Sequence, residues 1–180
     1  PYDGSWGYQV TGYYAPTSRY GSPRDFMYFV NYLHKKGIGV ILDWVPGGFC
    51  RDEQGLVHFN GDKLYEKEEH PNWGTFKFDF TRNEVRNFLT SNLLYWVEEY
   101  HADGIRMDGV TSMLYLNFGV DDPSQKKFNS RGTEEDDASI EFIRTCNDTV
   151  GKYYPDVMMI AEESTAWPLV TYPTSDGGLG

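Results

Sequence analysis

Short apolar runs alternate with amphipathic segments along most of this chain. The clearest run covers residues 39–46, and shorter ones cover residues 104–107 and 157–161. A continuous apolar run is typical of a strand that is buried on both faces of a parallel sheet. Segments with helical spacing lie between the runs. The pattern therefore predicts a parallel α/β architecture.

Three helices are predicted, one before each of these strands. The first begins after Ser22, with Pro23 at the first helical position, and ends at Gly37, which provides the left-handed residue of a helix stop. Its apolar stripe is Phe26, Phe29, Val30 and Leu33. The second helix begins with the capping-box sequence of residues 81–84. Its stripe is Val85, Phe88, Leu89, Trp96, Val97 and Tyr100.

The third helix is predicted to begin near Thr133 and to end before Pro155. Its inner face is expected to carry Ile140, Ile143, Cys146 and Val150. An additional strand over residues 6–10 has weaker periodicity. Residues 47–80 and 109–132 are too long for tight turns, so we expect loops over the carboxyl ends of the strands, where a barrel carries its active site.

Each of the three apolar runs leads into an acidic residue. These residues are Asp43, Asp108 and Glu162. In a parallel sheet all three would lie at the same edge. Arg106 lies two positions before Asp108 and therefore points to the same side of its strand. A neighbouring guanidinium favours the ionised form of a carboxyl group and orients it, so Asp108 is predicted to be a nucleophile.

Glu162 follows an apolar strand, and burial beside other carboxylates favours its protonated form. An ionised and a protonated carboxyl group about 5–5.5 Å apart are what a retaining glycoside mechanism requires. The sequence predicts the shared edge but not that distance. An alternative is that these acids cap loop amides or pair with Lys and Arg.

Composition narrows the choice of partner. Sixteen Lys and Arg against 27 Asp and Glu give a net charge of −11, which disfavours nucleic acid and anionic membranes as partners. Cys50 and Cys146 form no disulfide framework, so two reduced thiols in a cytoplasmic protein are expected. Aromatic residues make up 17% of the chain, which suits either stacking on sugar rings or ordinary core packing.

Several blocks of the chain resemble bacterial glycogen branching enzymes of the α-amylase superfamily. They are residues 5–12, 15–19, 43–47, 82–89, 103–108 and 161–165, in family order and at family-like spacing. The resemblance covers essentially the whole chain and implies a (β/α)₈ barrel. Residues 1–180 would form one partial catalytic domain with about strands 2 to 5 of the barrel.

The resemblance also implies site residues and a reaction. Asp108 would be the nucleophile, Glu162 the general acid and base, and Arg106 the partner of the nucleophile. The implied substrate-binding residues include Tyr8, which stacks on a sugar, Asp43 and Glu163. Trp73 and Trp167 are candidate glucan platforms, with loop packing as the alternative. The reaction would transfer part of an α-1,4-glucan such as amylose or glycogen to a 6-hydroxyl, without a metal or cofactor.

Two departures from the family pattern leave alternatives open. The family has a sugar-binding His where this chain has Gly48, and losing such a donor costs roughly 10²–10³ in rate. The third catalytic carboxylate, an Asp after a His, would lie beyond Gly180, so the segment alone is expected to be inactive or poorly soluble. An amylase- or pullulanase-type hydrolase and a catalytically dead glucan-binding relative are the competing hypotheses.

Overall fold

The structure is a computed structural model that describes residues 3–52 and 55–180. Its helices and strands, in chain order, are α1 (Pro23–Lys35), β1 (Ile41–Trp44), β2 (Glu66–Glu69), β3 (Phe76–Phe78), α2 (Asn83–Tyr100), β4 (Gly104–Met107), α3 (Val110–Leu114), α4 (Asp137–Tyr153) and β5 (Met158–Ala161). Single turns of 3₁₀-helix occur at Asp3–Ser5, Ser18–Tyr20, Leu56–His58, Pro123–Gln125 and Thr174–Asp176.

Strands β1, β4 and β5 form a parallel sheet in that order, which confirms the predicted architecture. Asp43 pairs with Arg106, and Arg106 pairs with Ile160. The ladder continues past the strand ends, because the Asp108 amide donates to the Trp44 carbonyl and the Glu162 amide donates to the Met107 carbonyl, both at 2.9 Å. Asp108 and Glu162 therefore follow β4 and β5 directly, whereas Asp43 lies inside β1, one residue before its end. All three acids lie towards the carboxyl ends of the strands.

The two faces of this sheet differ in their cover. One face packs against α2 and α4 and holds the buried side chains Trp44, Ile105 and Met107. The opposite face carries Asp43 and Arg106, and among the described residues it is largely open. Its apolar side chains Ile41 and Met158 are 52% and 57% exposed. The charged side chains of Asp43 and Arg106 thus lie on the face that the helices leave uncovered.

The first helix begins as predicted. The Ser22 side chain accepts from the Asp25 amide, and the Asp25 carboxylate accepts from the Ser22 amide at 2.7 Å. Gly37 follows the helix with φ +73°, the left-handed conformation expected of a stop. The apolar stripe is less buried than predicted, since Val30 is buried but Phe29 is 52% exposed.

Three sequence-based predictions about the elements are wrong: one strand, one helix cap and one helix start. Residues 6–10 form no strand, because Trp6 and Gly7 have φ of 55° and 95°, which bend the chain into a turn. Thr81 does not cap α2, because its hydroxyl donates to Asp79 Oδ1 at 2.6 Å instead. The third helix begins at Asp137 and not near Thr133, because residues 134–136 pair in extended form with residues 114–116.

The predicted long loops contain secondary structure. Strands β2 and β3 form an antiparallel hairpin. The segment after β1 joins this hairpin, since the Phe76 amide donates to the Phe49 carbonyl and the Phe78 amide donates to the Gly47 carbonyl, both at 2.9 Å. The buried rings of Phe49 and Phe78 anchor the hairpin in the core. The hairpin therefore extends from the strand edge that carries the acids.

Candidate active site

One guanidinium nitrogen joins two of the predicted carboxylates. Arg106 Nη1 donates to Asp43 Oδ1 at 2.5 Å and to Asp108 Oδ2 at 2.6 Å. The hydrogen bond to Asp43, followed by that to Asp108, raises the pKa of Arg106 above its ordinary value. The arrangement follows from the sheet register, which places Asp43 beside Arg106, and from the strand period of two, which places Asp108 on the same face.

Tyr8 reaches the same cluster from the loop before α1. Its hydroxyl donates to Asp43 Oδ2 at 3.0 Å and lies 3.5 Å from Arg106 Nη1. Burial, and then the hydrogen bond to Asp43, raises the pKa of this hydroxyl. Both oxygens of Asp43 are therefore engaged, one by Arg106 and one by Tyr8.

The pKa of Asp108 shifts in the direction opposite to the effect expected from Arg106 alone. Burial raises the pKa of Asp108 above its ordinary value, and the nearby carboxylates of Glu162 and Asp43 act in the same direction. Arg106 lowers that pKa but does not compensate fully. The guanidinium holds the Asp108 carboxylate by a hydrogen bond, while the net effect of its surroundings is to raise its pKa.

Glu162 lies beside Asp108, on the neighbouring strand. Its Oε2 accepts from the Gly109 amide at 3.2 Å, and its backbone carbonyl accepts from the Val110 amide at 3.1 Å. Gly109 has φ +69°, so its left-handed turn directs that amide towards Glu162. The structure therefore places one carboxyl group on each of two adjacent strands, close enough for Glu162 to affect the pKa of Asp108.

Glu163 is turned into its own loop. Its Oε1 accepts from the Thr111 hydroxyl at 3.0 Å and from the Thr165 amide at 2.8 Å, and its Oε2 accepts from the Trp167 amide at 3.3 Å. Against the effect of burial, these hydrogen bonds lower the pKa of Glu163. An ionised Glu163 thus organises the segment that follows Glu162.

Trp73 lies beside the carboxylates. A Cβ added at Gly109 would be 3.0 Å from Trp73 Cη2, so the indole edge rests over that glycine. One indole face stacks on His70, with ring centroids 4.0 Å apart and planes 8° from parallel. His70 had no assigned role in the sequence, yet its Nδ1 accepts from the Asn72 and Trp73 amides at 3.2 Å. His70 therefore supports Trp73, which is 36% exposed.

Trp167 follows Glu162 by five residues, and its amide belongs to the loop that Glu163 organises. Its ring meets Tyr115 edge to face, with centroids 5.5 Å apart, and it packs partly against the core. The Tyr115 hydroxyl hydrogen-bonds with Thr165 at 3.3 Å. Because the Trp167 ring packs on Tyr115 and on the core, loop packing accounts for much of its position.

Gly48 occupies a position without room for a side chain. A Cβ at Gly48 would lie 1.8 Å from the Phe76 carbonyl oxygen and 2.4 Å from its carbon. At neighbouring Gly47, an added Cβ meets no atom within 4 Å. At the position where the resemblance implies a His, β3 thus approaches the segment after β1 too closely for a side chain.

Neither a metal cluster nor a membrane span is found in the part of the chain that the structure describes. Within residues 3–52 and 55–180, no three His, Cys, Asp or Glu side chains converge as metal ligands would. None of the helices in these ranges combines the length and the hydropathy needed to cross a bilayer.

Several known proteins have sequences similar to this chain. The family described as "Alpha amylase, catalytic domain" matches residues 72–175. The 1,4-alpha-glucan branching enzyme of Thermosynechococcus vestitus is 56% identical over 185 positions, which cover 100% of this chain and 24% of that enzyme. The branching enzyme of Synechococcus sp. (strain JA-3-3Ab) is 57% identical with the same coverage. The chain spans about a quarter of the length of these relatives.

The fold also matches a solved structure. A crystal structure of pullulanase from Paenibacillus barengoltzii, in complex with maltohexaose and alpha-cyclodextrin, aligns with a TM-score of 0.66 at 19% identity. The alignment covers 89% of this chain and 23% of that chain. The three parallel strands and their helices thus form part of a (β/α)₈ barrel, as the sequence predicted.

Proposed function

Because the chain belongs to the alpha-amylase catalytic-domain family, we propose that it carries active-site residues of a 1,4-α-glucan branching enzyme. The reaction breaks an α-1,4 bond of a linear glucan and rejoins the released segment to a 6-hydroxyl. The observation that carries this proposal is the single Arg106 nitrogen that orients Asp108, at a strand end adjacent to the one that carries Glu162. The high identity to branching enzymes supports the choice of reaction.

In the first half of the proposed reaction, the Asp108 carboxylate attacks the anomeric carbon of the glucan. The bond from that carbon to the leaving glycosidic oxygen breaks, and Glu162 transfers its proton to the oxygen. A covalent glycosyl ester on Asp108 results. Arg106 holds the attacking carboxylate in place, since its Nη1 lies 2.6 Å from Asp108 Oδ2.

In the second half, Glu162 acts as a base. It accepts the proton of an acceptor 6-hydroxyl, whose oxygen attacks the anomeric carbon and displaces Asp108. The Gly109 amide holds one Glu162 oxygen at 3.2 Å, so the other oxygen is available for the proton. The same acid thus serves both halves, and no redox step is needed.

Tyr8 and Trp73 are the aromatic side chains proposed to contact sugar rings. Tyr8 is fixed through Asp43, and Trp73 is fixed through His70. Sugar rings present apolar C–H faces, which stack well on aromatic rings that are already immobilised. Trp167 and Glu163 are proposed to shape the loop after Glu162, and Asp43 to position Arg106 and Tyr8.

A chimera tests this proposal. The segment of the Thermosynechococcus vestitus enzyme that matches this chain is replaced by residues 1–180. We expect this chimera to lower the iodine staining of amylose and to form 1,6 linkages, with little net gain in reducing ends. A large release of reducing ends would favour a hydrolase, and glucan binding without turnover would favour a binding-only relative.

Two variants of the chimera test the assigned roles. Asp108→Asn and Glu162→Gln are each expected to lower kcat by at least about 10³-fold, since they remove the nucleophile and the proton donor. Asp156→Asn, an exposed acid just before β5, is the matched control and should leave kcat unchanged. Full activity in Asp108→Asn would show that the nucleophile is a different residue.

A further inference from the structure

Gln9 links the two loops that carry the proposed sugar-binding aromatics. Its side-chain Nε2 donates to the Trp73 carbonyl at 2.9 Å, across 64 positions of the chain. Gln9 directly follows Tyr8, whose hydroxyl is fixed to Asp43. The backbone that carries Tyr8 is therefore fastened to the backbone that carries Trp73.

The surroundings of Gln9 are shaped for this link. Its own amide donates to Ser5 Oγ at 3.1 Å, which holds the residue from the other side. The turn at Gly74 has φ +66°, and an added Cβ there would lie 3.3 Å from Gln9 Nε2. Any side chain at Gly74 would therefore crowd the amide of Gln9 as well as strain the turn.

The two linked aromatics flank the carboxylates. Tyr8 approaches through Asp43, whereas the Trp73 indole lies over Gly109, whose amide binds Glu162. His70 covers one indole face, so the ring cannot tilt freely on that side. The separation between the two rings then depends on the backbone link that Gln9 makes.

We infer that Gln9 is a positioning residue that sets the distance between Tyr8 and Trp73, and thereby the affinity for glucans long enough to contact both rings. This inference rests on the proposed function. It assigns Gln9 no contact with the reacting atoms. Its loss should therefore weaken the binding of long glucans much more than it changes kcat.

The test uses Gln9→Met in the chimera, because Met retains the length of the side chain but has no donor. Dissociation constants for maltoheptaose and maltose are measured by affinity electrophoresis, which needs no turnover. We expect an increase of about 3- to 10-fold for maltoheptaose, the range that one lost hydrogen bond gives, and less than twofold for maltose. Gln125→Met, at an exposed 3₁₀ turn, is the matched control and should change neither value.

A double-mutant cycle separates positioning from general stability. Trp73→Ala removes the ring but keeps the carbonyl that Gln9 binds. If Gln9 acts by placing the ring, Gln9→Met should add less than twofold in the Trp73→Ala background. An equal loss in both backgrounds, unchanged maltoheptaose binding, or equal losses for maltoheptaose and maltose would overturn the inference.

Failure of this inference is distinguishable from failure of the proposed function. A chimera that binds maltoheptaose but forms no branches contradicts the proposed function and still permits the Gln9 comparison. A chimera that forms branches while Gln9→Met binds normally leaves the proposed function standing and rejects the role of Gln9.

Discussion

At the scale of single residues, the site shows how neighbouring charges and burial compete over one carboxyl group. Asp108 is partly buried, and this desolvation together with the carboxylates of Glu162 and Asp43 raises its pKa more than Arg106 lowers it. The proximity of Arg106 to Asp108 was predictable from the sequence, because strand periodicity places both side chains on one face. The net direction of the pKa shift was not predictable, because it depends on packing around the strand end.

This competition predicts opposite pH shifts for two substitutions. The proposed attack requires ionised Asp108, so kcat/KM should fall on the acid side as Asp108 is protonated. Arg106→Met removes a cation that lowers the pKa of Asp108, so the acid limb should move to higher pH. Asp43→Asn removes a carboxylate that raises this pKa, so the limb should move to lower pH. The measurement is kcat/KM of the chimera against pH, and shifts in the same direction would exclude Asp108 as the titrating group.

Gly48 yields a second prediction at this scale. Gly48→Ala should destabilise the chimera by about 1–3 kcal/mol, as overpacking does, because the added Cβ meets the Phe76 carbonyl. Gly47→Ala, one residue earlier and in open space, is the control and should change the free energy of unfolding little. Thermal unfolding distinguishes the two. For the same reason Gly48→His is expected to lose stability and to gain no activity, and an active, stable Gly48→His would refute this account.

At the scale of elements, the sequence predicted the parts whose side chains repeat with a clear period. The parallel strands and the buried faces of α2 and α4 were found because apolar residues recur at the right spacing. The β2–β3 hairpin was missed because β2 consists entirely of charged residues, Glu66–Glu69. Local sequence could not show that Glu66 would be buried, since its neighbours in the fold include Phe49 and Tyr13, which are distant in the sequence.

Glu66 makes the stability of this hairpin depend on pH. Glu66 is 2% exposed, and among the described residues neither carboxylate oxygen has a partner at full hydrogen-bonding geometry, although backbone amides lie close enough to affect its pKa. Burial raises the pKa of Glu66 from 4.5 to about 7, against weaker lowering effects of nearby backbone amides, of which its own is the largest, and of Lys63. The folded state therefore binds the proton more tightly than the unfolded state. Stability should fall as pH rises from 4.5 to 7 and level off above that range.

Glu66→Gln tests this dependence, because the amide stays neutral at every pH. We expect the variant to gain free energy of unfolding relative to the parent chimera, by about 1–3 kcal/mol more at pH 8 than at pH 5. Glu69→Gln, on the same strand but exposed and paired with Arg51, is the control and should show no such difference. Denaturant unfolding at the two pH values provides the measurement, and equal effects at both would contradict a buried, titrating Glu66.

At the scale of the whole molecule, the site was predictable to the extent that it depends on parallel strands. Strand ends bring Asp43, Asp108 and Glu162 to one edge whatever the loops do. The contacts made by Gln9 and His70 were not predictable, because they join loops whose approach is set by the complete fold. The sequence therefore indicated the reacting groups better than the residues that position them.

The open face of the sheet leads to a final prediction in which one substitution has opposite effects in two contexts. In the 180-residue chain expressed alone, Ile41 and Met158 expose apolar surface beside the outer edges of β1 and β5, which favours self-association. Met158→Lys should therefore reduce the apparent mass in light scattering. In the chimera the closed barrel should bury that face, so the same Lys should lower the midpoint of thermal unfolding. Tyr153→Lys, exposed on α4, is the control and should change neither the apparent mass nor the unfolding midpoint. An unchanged unfolding midpoint in the Met158→Lys chimera would mean that the face stays open to solvent.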